Sequence, residues 1–441
     1  MFSVIIPVHN SWKTIDRTIN KTLNSFIDIN DEIILVNDNS NECTIQKLNH
    51  YSKYPNIRVI NNSGVGVSDA RNSGIEIINK KNEFVTFIDD SDWVSQYFFC
   101  EAKNFFQKEK EIDIVFTPIK IFKEGKIYEH TMNDKFKFQG NIINIFKNYQ
   151  FVQYHIGGVI FRSSILKKEN YRFDNTIDYW EDAKIINTIL LNKQKYGVLK
   201  NSTYFYDRND PNSLSNKAWL NKNRYLNHLK DNYMYLINQS KSKYGYVINY
   251  IQYLITKHYL NYLYYDNQNK ILEHNDKEFD EFKKASQLVF KNIDKKIIDL
   301  QPVPEVYKNY LYQLKNSTYF WEKNINHIHV YIHSISIIKR NIVFSFSDNS
   351  FFISEDSNIH IKFKGKKLYK PKLKLVRNHL IFGKKVNDFS RQIFNVTIPI
   401  KFFFHDAIFV IEDKNNKIIL NIKSKSIVKR ILKRKNKSRG Y

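Results

Sequence analysis

The segment FVTFIDDSDW, residues 84–93, joins a short apolar run to three closely spaced aspartates. Like charges at this spacing repel one another and raise one another's pKa, so a folded protein keeps them only where solvent or a positive partner offsets the cost. Mg²⁺ and Mn²⁺ prefer oxygen ligands and often bind one or two carboxylates together with substrate phosphates. The segment therefore predicts a buried strand that ends in a divalent-metal site, and the alternative is a solvated acidic turn.

Short apolar strands alternate with helical patterns around this segment. The strands are apolar on both faces, which is typical of a parallel α/β sheet. Ligands of such sheets gather beyond the carboxyl ends of the strands, so the polar sequences PVHN, VNDNS and IDDSD are expected to meet in one crevice. The predicted strands are 3–8, 32–38, 57–62 and 84–89, and the predicted helices between them are 12–26 and 67–79.

The pattern changes twice farther along the chain, and 441 residues are too many for one ordinary core. Helical spacing dominates one stretch, and short alternating runs at close intervals follow it, which predicts a small all-β sandwich. The last stretch is strongly basic. The expected organisation is an α/β domain with two halves (1–93 and 94–216), a helical linker region (217–326), an all-β domain (327–421) and a basic tail (422–441).

The net charge of +25 comes from 69 basic and 44 acidic residues. This excess favours a polyanionic partner, which could be nucleic acid, an anionic membrane face or an acidic polymer. A compositional bias of the genome is the alternative explanation for the use of lysine in place of arginine. The chain has two cysteines, which indicates a reducing compartment. It shows neither a signal-peptide pattern nor an apolar run of membrane-spanning length, so a cytoplasmic protein is expected.

Six motifs in the first 215 residues, taken in order, resemble those of family 2 of the GT-A glycosyltransferases. The resemblance implies a GT-A (Rossmann-like) fold, a nucleotide-sugar donor and a Mn²⁺ or Mg²⁺ ion held by Asp90, Asp92 or both. There is one departure, because the commoner acidic motif is D-x-D-D and an ungapped match puts Ser91 at its metal-binding position. The motifs are VIIPVHN, VNDNS, GVGVSDARNSG, FVTFIDDSDW, RFDNTIDYWEDAK and YFYDRNDPNSLS.

The resemblance also implies roles for individual residues on the donor side. The local sequence leaves plainer alternatives open, which are a turn cap for Asp38, a helix-surface position for Arg71 and a polar loop for residues 208–215. The implied roles are a base pocket lined by Pro7, Val8 and Asn10, a base-binding carboxylate at Asp38, a base and diphosphate contact at Arg71, ribose binding at Asp89, and closure over the diphosphate by Arg208, Ser213 and Ser215.

On the acceptor side, the resemblance implies that Asp182 is the general base. A sugar hydroxyl is a poor nucleophile, and a carboxylate opposite the diphosphate can take its proton as it attacks, so that one displacement inverts the anomeric centre. Glu181 would orient the acceptor or the donor sugar. The alternative for this pair is ordinary acidic residues in the first turn of a helix. His155, Gly157 and Gly158 predict a close backbone turn, with acceptor entry as the alternative.

The layout beyond residue 215 resembles that of bacterial wall teichoic acid glycosyltransferases, which join a GT-A domain to a helical region and immunoglobulin-like modules that trimerise. This implies a UDP-linked donor such as UDP-GlcNAc, a polyanionic or lipid-linked glycan acceptor, and no nucleic acid partner. It also implies a homo-oligomer, trimer or dimer, at the inner face of the bacterial membrane, where the basic tail would contact anionic lipid. The alternatives are a capsular or exopolysaccharide transferase and an inactive GT-A descendant that binds polyanions or membranes.

Overall fold

The computed structural model describes residues 1–210, 219, 221–273, 276–316, 330–346, 358–363, 368–375, 378–387, 393–413, 418–424 and 426. Ser213, Ser215 and most of the basic tail lie outside the described residues. The chain divides into two compact units. The first comprises residues 1–261 and 273–297, and the second comprises residues 262–272 with the described part of 298–441.

The first unit begins as alternating strands and helices. Its strands are β1 (Phe2–Val8), β2 (Glu32–Asn37), β3 (Ile57–Asn61), β4 (Phe84–Phe87), β5 (Trp93–Val94), β6 (Ile114–Phe116), β7 (Ile119–Lys123), β8 (Lys126–Glu129), β9 (Ile142–Asn144), β10 (Val159–Arg162), β11 (Lys195–Val198) and β12 (Tyr204–Asp207). The helices among them are α1 (Ile15–Leu23), α2 (Glu42–Tyr51), α3 (Val67–Glu76), α4 (Phe98–Lys108), a 3₁₀ helix (Asn133–Lys137), α5 (Ser163–Lys167) and α6 (Glu181–Lys193).

An eight-stranded mixed sheet organises these elements, in the order β3-β2-β1-β4-β10-β6-β11-β9. The first four strands pair in parallel, as the sequence predicts. The sheet becomes mixed because β10 runs antiparallel to both β4 and β6, and β9 runs antiparallel to β11. A second sheet has the order β5-β12-β7-β8.

The local sequence explains these elements and their ends. All seven residues of β1 are buried, as a central strand covered on both faces requires. Helix α1 buries Ile15, Ile19 and two threonines at helical spacing. Strand β4 stops at Phe87, two residues before its predicted end, because the chain turns and the Asp92 amide donates to the Asp89 carbonyl over 2.9 Å.

The region that was predicted to be helical, 217–326, holds helices throughout its described residues. They are a 3₁₀ turn (Lys222–Arg224), a π-helix (His228–Tyr233), α7 (Met234–Tyr244), α8 (Asn249–Tyr259), a 3₁₀ turn (Leu260–Leu263), α9 (Tyr265–Leu272), α10 (Asp276–Phe290), α11 (Lys295–Asp299) and α12 (Glu305–Leu314). Residues up to 261 pack into the first unit. Within the described ranges, no helix is both long and apolar enough to cross a bilayer.

The second unit contains the strands that follow residue 330. Two four-stranded antiparallel sheets have the orders β13-β14-β20-β17 and β16-β15-β21-β22, where β13 is Val330–Ser336, β14 Asn341–Phe346, β15 Asn358–Lys362, β16 Leu368–Tyr369, β17 Lys372–Leu375, β20 Ile393–Thr397, β21 Ala407–Asp413 and β22 Ile418–Ser424. The unit also contains a hairpin of β18 (Asn378–Ile381) and β19 (Lys384–Asn387), a 3₁₀ helix (Ile400–Phe404) and the helices α9 and α12. Phe344, Phe394 and Phe409 lie in a core that both sheets share, which supports the predicted all-β character.

Candidate active site

The carboxyl ends of β1, β2 and β4 meet at one edge of the large sheet. The His9 amide donates to Asp90 Oδ2 over 2.9 Å, and the His9 ring nitrogen Nδ1 lies 2.6 Å from the Asp38 carbonyl oxygen. The Asp38 amide donates to the Val8 carbonyl over 2.8 Å. The three polar strand ends that the sequence predicts to converge therefore meet at this edge of the sheet.

Asp38 lies on the β2 side of this meeting point. Its Oδ1 accepts hydrogen bonds from Asn62 Nδ2 (2.8 Å) and from the Gly66 amide (3.1 Å). Gly66 has a φ of 91° at the start of α3, a backbone conformation that glycine adopts most readily. Both of these hydrogen bonds go to one carboxylate oxygen, and among the described residues the other oxygen of Asp38 accepts none.

The other residues predicted to form the base pocket lie at the end of β1. Pro7 and Val8 are buried in the strand, where Pro7 pairs with Val36. Asn10 is exposed and has a φ of 54°. Its Oδ1 accepts the Asn41 amide over 2.7 Å, which connects the end of β1 to the start of α2.

The three aspartates of the acidic segment have different surroundings. Asp89 is about a third exposed and uses Oδ1 for Arg71 (3.0 Å). Asp90 uses Oδ2 for the His9 amide, and burial raises the pKa of Asp90 to about 6, with the charge of Asp89 adding to the effect. Asp92 is 0% exposed, and burial together with Asp89 raises its pKa well above the ordinary value.

Both oxygens of the Asp92 carboxylate accept hydrogen bonds from residues of β12. Its Oδ2 accepts the Tyr204 hydroxyl (2.6 Å) and its Oδ1 accepts the Asp207 amide (2.8 Å). Among the described residues, no group of three or more His, Cys, Asp or Glu side chains is arranged to hold a metal ion. Asp89 and Asp90 each retain an oxygen, so the residues present fit a divalent ion that takes one or two carboxylates and completes its shell with substrate oxygens and water.

Arg71 joins the two halves of the site. It is 3% exposed, and its guanidinium donates to Asp89 Oδ1 (3.0 Å) and to Glu181 Oε1 (2.8 Å). The face of the Phe173 ring lies 5.2 Å from the guanidinium. Burial lowers the pKa of Arg71, but the charges of Asp89 and Glu181 outweigh burial and raise it above the ordinary value. Arg71 therefore lies in the interior of the site and not on an exposed helix face.

Asp182 lies in the first turn of α6, beside this ion pair. Its Oδ2 accepts the Ile156 amide (3.0 Å) and its Oδ1 the Ala183 amide (2.7 Å). Burial raises the pKa of Asp182 to about 7 and Glu181 adds to the effect, whereas Arg71 and the two amides oppose it. A carboxylate whose pKa lies near neutrality is suited to accept a proton in a general-base step.

The turn at Gly157 and Gly158 brings the backbone close to the site. A Cβ on Gly157 would lie 2.5 Å from the Tyr204 ring, and Gly158 has a φ of 75° with Thr117 Oγ1 2.4 Å from the place of a Cβ. His155, just before the turn, accepts the Gly157 amide at Nδ1 (2.8 Å), and burial lowers the pKa of His155 to about 4. These contacts agree with the predicted close backbone turn.

A group of residues that the sequence analysis missed attaches the acidic segment to β12. Arg17 donates to the Ser91 carbonyl (2.6 Å) and to Asp207 Oδ2 (2.5 Å), and its guanidinium lies 4.2 Å from the centre of the Trp93 ring. Arg208, which the resemblance assigns to the diphosphate, follows directly after β12, and its guanidinium lies over the Tyr206 ring. No local pattern distinguishes Arg17 from an exposed helical arginine, because its partners lie 74 and 190 residues away.

Comparison with known proteins connects this site to a family. Residues 3–172 match the model described as glycosyl transferase family 2. The chain is 31% identical to the minor teichoic acid biosynthesis protein GgaA of Bacillus subtilis over 455 aligned positions, which cover 99% of this chain and 100% of GgaA.

Solved structures of TarS from S. aureus share the fold. The structure of TarS in complex with UDP-GlcNAc aligns with a TM-score of 0.56 at 18% identity, over 71% of this chain and 87% of that chain. Another TarS structure aligns with a TM-score of 0.56 at 15% identity, over 96% of this chain and 77% of that chain. The α/β part thus has a GT-A, Rossmann-like fold, and the chain belongs to glycosyl transferase family 2.

Proposed function

We propose that this protein is an inverting, metal-dependent glycosyltransferase that moves a sugar from a UDP-linked donor, such as UDP-GlcNAc, to a hydroxyl of a teichoic acid. The proposal rests on the ion pairs of Arg71 with Asp89 and Glu181. They join the acidic end of β4, where a nucleotide diphosphate would bind, to the first turn of α6, which carries the candidate base. One buried cation thus connects the two sides of the reaction.

On the donor side, the open oxygen of Asp38 accepts the N–H of a uracil ring. Pro7, Val8 and Asn10 line the pocket around this ring. Asp89 binds the ribose, and Arg208, Ser213 and Ser215 close over the diphosphate, where charge-assisted hydrogen bonds to phosphate are strong.

A divalent ion, Mn²⁺ or Mg²⁺, would be held by Asp90 with help from Asp89. When bound, it supplies positive charge to the diphosphate that leaves. Asp92 was also predicted as a ligand of this ion, and its two oxygens accept hydrogen bonds from Tyr204 and Asp207. Its role in this proposal is to hold the acidic segment against β12.

Asp182 takes the proton of the acceptor hydroxyl as that oxygen attacks the anomeric carbon. The new glycosidic bond forms on the face opposite the diphosphate, so the configuration inverts. The raised pKa of Asp182 matches a proton acceptor that works near pH 7. Glu181, held in one orientation by Arg71, contacts the sugar.

The acceptor is a phosphate-linked polymer at the cytoplasmic face of the membrane. GgaA, which aligns over its whole length, is named for teichoic acid biosynthesis. The net charge of +25 suits a polyanion, because a basic protein gains affinity when counterions are released. In this proposal the all-β domain, residues 327–421, is an immunoglobulin-like sandwich that mediates self-association or binds the acceptor, and the basic tail contacts anionic lipid.

The test is a screen of donors and acceptors with the full chain. Thermal unfolding with Mn²⁺ and a panel of UDP-, GDP- and CDP-sugars identifies the donor, and transfer is then measured to purified teichoic acid and to a lipid-linked oligosaccharide. Transfer to teichoic acid from a UDP-sugar supports the proposal if NMR shows that the anomeric configuration of the product is inverted relative to that of the donor. Transfer to the oligosaccharide alone indicates a capsular or exopolysaccharide enzyme, and donor binding without turnover on either acceptor indicates an inactive descendant.

A further inference from the structure

A cluster of aromatic side chains lies behind the turn that carries Asp182. Trp180, two residues before Asp182, is 3% exposed. Its ring centre lies 4.8 Å from that of His258, 5.0 Å from that of His228 and 5.3 Å from that of Tyr233. All three neighbours belong to helical residues 228–258, a region that the sequence analysis treats as a linker.

Hydrogen bonds lock this cluster together. The two ring nitrogens of His258 engage two tyrosine hydroxyls, Nδ1 with Tyr233 (2.5 Å) and Nε2 with Tyr179 (3.2 Å). Asn232 Nδ2 donates to the Tyr179 carbonyl (2.9 Å) and lies 2.8 Å from His228 Nδ1. The residue before Trp180 is therefore held through both its backbone and its side chain.

The π-helix His228–Tyr233 explains how these groups reach one place. Its wider turn brings His228, Asn232 and Tyr233 onto the same side, so that all three contact residues 179–180. Single π-helical turns are rare and occur often at functional sites.

Trp180 has an uncommon backbone conformation, with φ 72° and ψ 21°. A left-handed conformation costs a residue other than glycine about 1–3 kcal/mol, and it persists only where the surroundings impose it. It turns the chain into α6, whose first two residues are Glu181 and Asp182. The cluster thus holds the strained residue that sets the direction of the candidate base.

Helix α8 also supports the other side of Asp182. The Tyr250 hydroxyl donates to Asn187 Oδ1 (2.9 Å), and Asn187 Nδ2 donates to the Gln153 carbonyl (2.8 Å). Gln153 begins the short segment that ends at Ile156, whose amide donates to Asp182 Oδ2. His258 and Tyr250, both on α8, therefore hold the two backbone segments between which the Asp182 carboxylate lies.

We propose that His258 is a positioning residue for Asp182, acting through the ring and backbone of Trp180, and that α8 is a working part of the catalytic unit. The inference rests on the proposed function, because it takes Asp182 as the base. Burial lowers the pKa of His258 and of His228 well below the ordinary value, so both rings are neutral near pH 7. A neutral imidazole offers one donor and one acceptor, which matches the two hydroxyls at His258.

The experiment measures transfer by the full chain carrying His258→Phe, which keeps a ring against Trp180 but removes both hydrogen bonds. We expect kcat to fall about 10- to 100-fold, the effect of displacing a reacting group by about 1 Å. KM for the donor and the Kd of UDP should stay within twofold of wild type. Thr256→Val is the matched control, because Thr256 is also buried on α8 and its hydroxyl bonds only within the helix.

The decisive comparison repeats His258→Phe in an Asp182→Asn background. A residue that acts through Asp182 has no further effect there, whereas a general structural role lowers the rate by the same factor in both backgrounds. The proposal is overturned if His258→Phe lowers the rate by the same factor in both backgrounds. It is also overturned if kcat of the single His258→Phe variant stays within twofold of wild type. Tyr233→Phe, judged by the same criteria, replaces His258→Phe if the latter does not fold. Full transfer activity in Asp182→Asn itself contradicts the proposed base instead.

Discussion

The guanidinium of Arg71 lies 2.8 Å from the carboxylate of Glu181, a residue 110 positions later in the chain. The same guanidinium holds Asp89 over 3.0 Å. Helix α3 thus connects the acidic end of β4 to the first turn of α6. Because the arginine is buried, its charge acts on both carboxylates with little screening from solvent.

Arg71→Met should lower the free energy of unfolding of the first unit by about 2–4 kcal/mol. This loss is smaller than the full cost of breaking a buried ion pair, because the Asp89 side chain is about a third exposed and solvent screens its charge. The change leaves Asp89 and Glu181 close together without their cation. Urea unfolding followed by fluorescence measures the loss. Lys137→Met, which removes an exposed ion pair with Asp134, is the control and should leave the unfolding midpoint unchanged. An equally small effect for both variants would contradict the structural role of Arg71.

Donor binding should require a divalent ion that is held by Asp90. Calorimetry measures the binding of a UDP-sugar in the presence of Mn²⁺, and EDTA should weaken the affinity about tenfold or more. The reason is that removing the ion removes charge-assisted contacts worth about 1.5–3 kcal/mol. Asp90→Asn should weaken binding to the same extent. Asp92→Asn should keep the affinity and lower the unfolding temperature instead, because an amide can replace only one of the two bonds that its carboxylate accepts. Equal affinity with and without EDTA would exclude the metal requirement.

Gly158→Ala should destabilise the protein more than Gly125→Ala. Both glycines have positive φ, 75° and 73°, so both variants carry the same backbone cost. A Cβ at Gly158 also meets Thr117 Oγ1 at 2.4 Å, whereas a Cβ at Gly125 meets nothing within 4 Å. The difference between the two variants, about 1–3 kcal/mol for an overpacked contact, isolates the close approach. Chemical unfolding measures it, and equal losses would show that the turn at 157–158 has room to relax.

Stability should fall as the pH decreases from 7.5 to 5. Burial lowers the pKa of His130 to about 3 and that of His155 to about 4, and it keeps His228 and His258 neutral, so the unfolded chain binds protons at these four rings that the folded chain does not. Asp90, Asp92 and Asp182 act in the opposite direction, because burial raises their pKa values and the folded state binds their protons first. Burial also lowers the pKa of Lys135 well below its ordinary value, so this group acts in the same direction as the histidines. Five groups outweigh three, and the stability that is present above pH 6.5 is lost below it. Urea unfolding at both pH values measures the change, and an unchanged or increased free energy of unfolding at pH 5 would contradict the buried neutral histidines.

The sequence predicts the parallel strands and their meeting point because each is a local pattern. Apolar runs that end in polar residues mark β1, β2 and β4, and the carboxyl ends of parallel strands must share an edge of the sheet. Helix α2 was not predicted, because ECTIQKLNHY has few apolar residues, and its start depends on Asn41, whose side chain caps the Thr44 amide.

The roles of individual charged residues could not be predicted in the same way. Asp90 and Asp92 look equivalent in the sequence, and the turn that follows β4 directs one to the His9 amide and the other to the Tyr204 hydroxyl. Arg71 resembles any helical arginine until its partners 18 and 110 residues away are known. The pattern YVINYIQYLITKHYLNYLYY predicts helical structure, but it does not predict that its histidine packs on Trp180.

The most direct test of the account is the rate of sugar transfer by Asp182→Asn, with the donor and acceptor that the wild-type chain uses. The variant should bind UDP and the donor with wild-type affinity, because Asp182 contacts neither the strand ends nor Arg71 by a hydrogen bond. Transfer should fall about 10²–10⁴-fold, the usual loss when a general base is removed. Transfer within tenfold of wild type would contradict the assignment of Asp182 as the base.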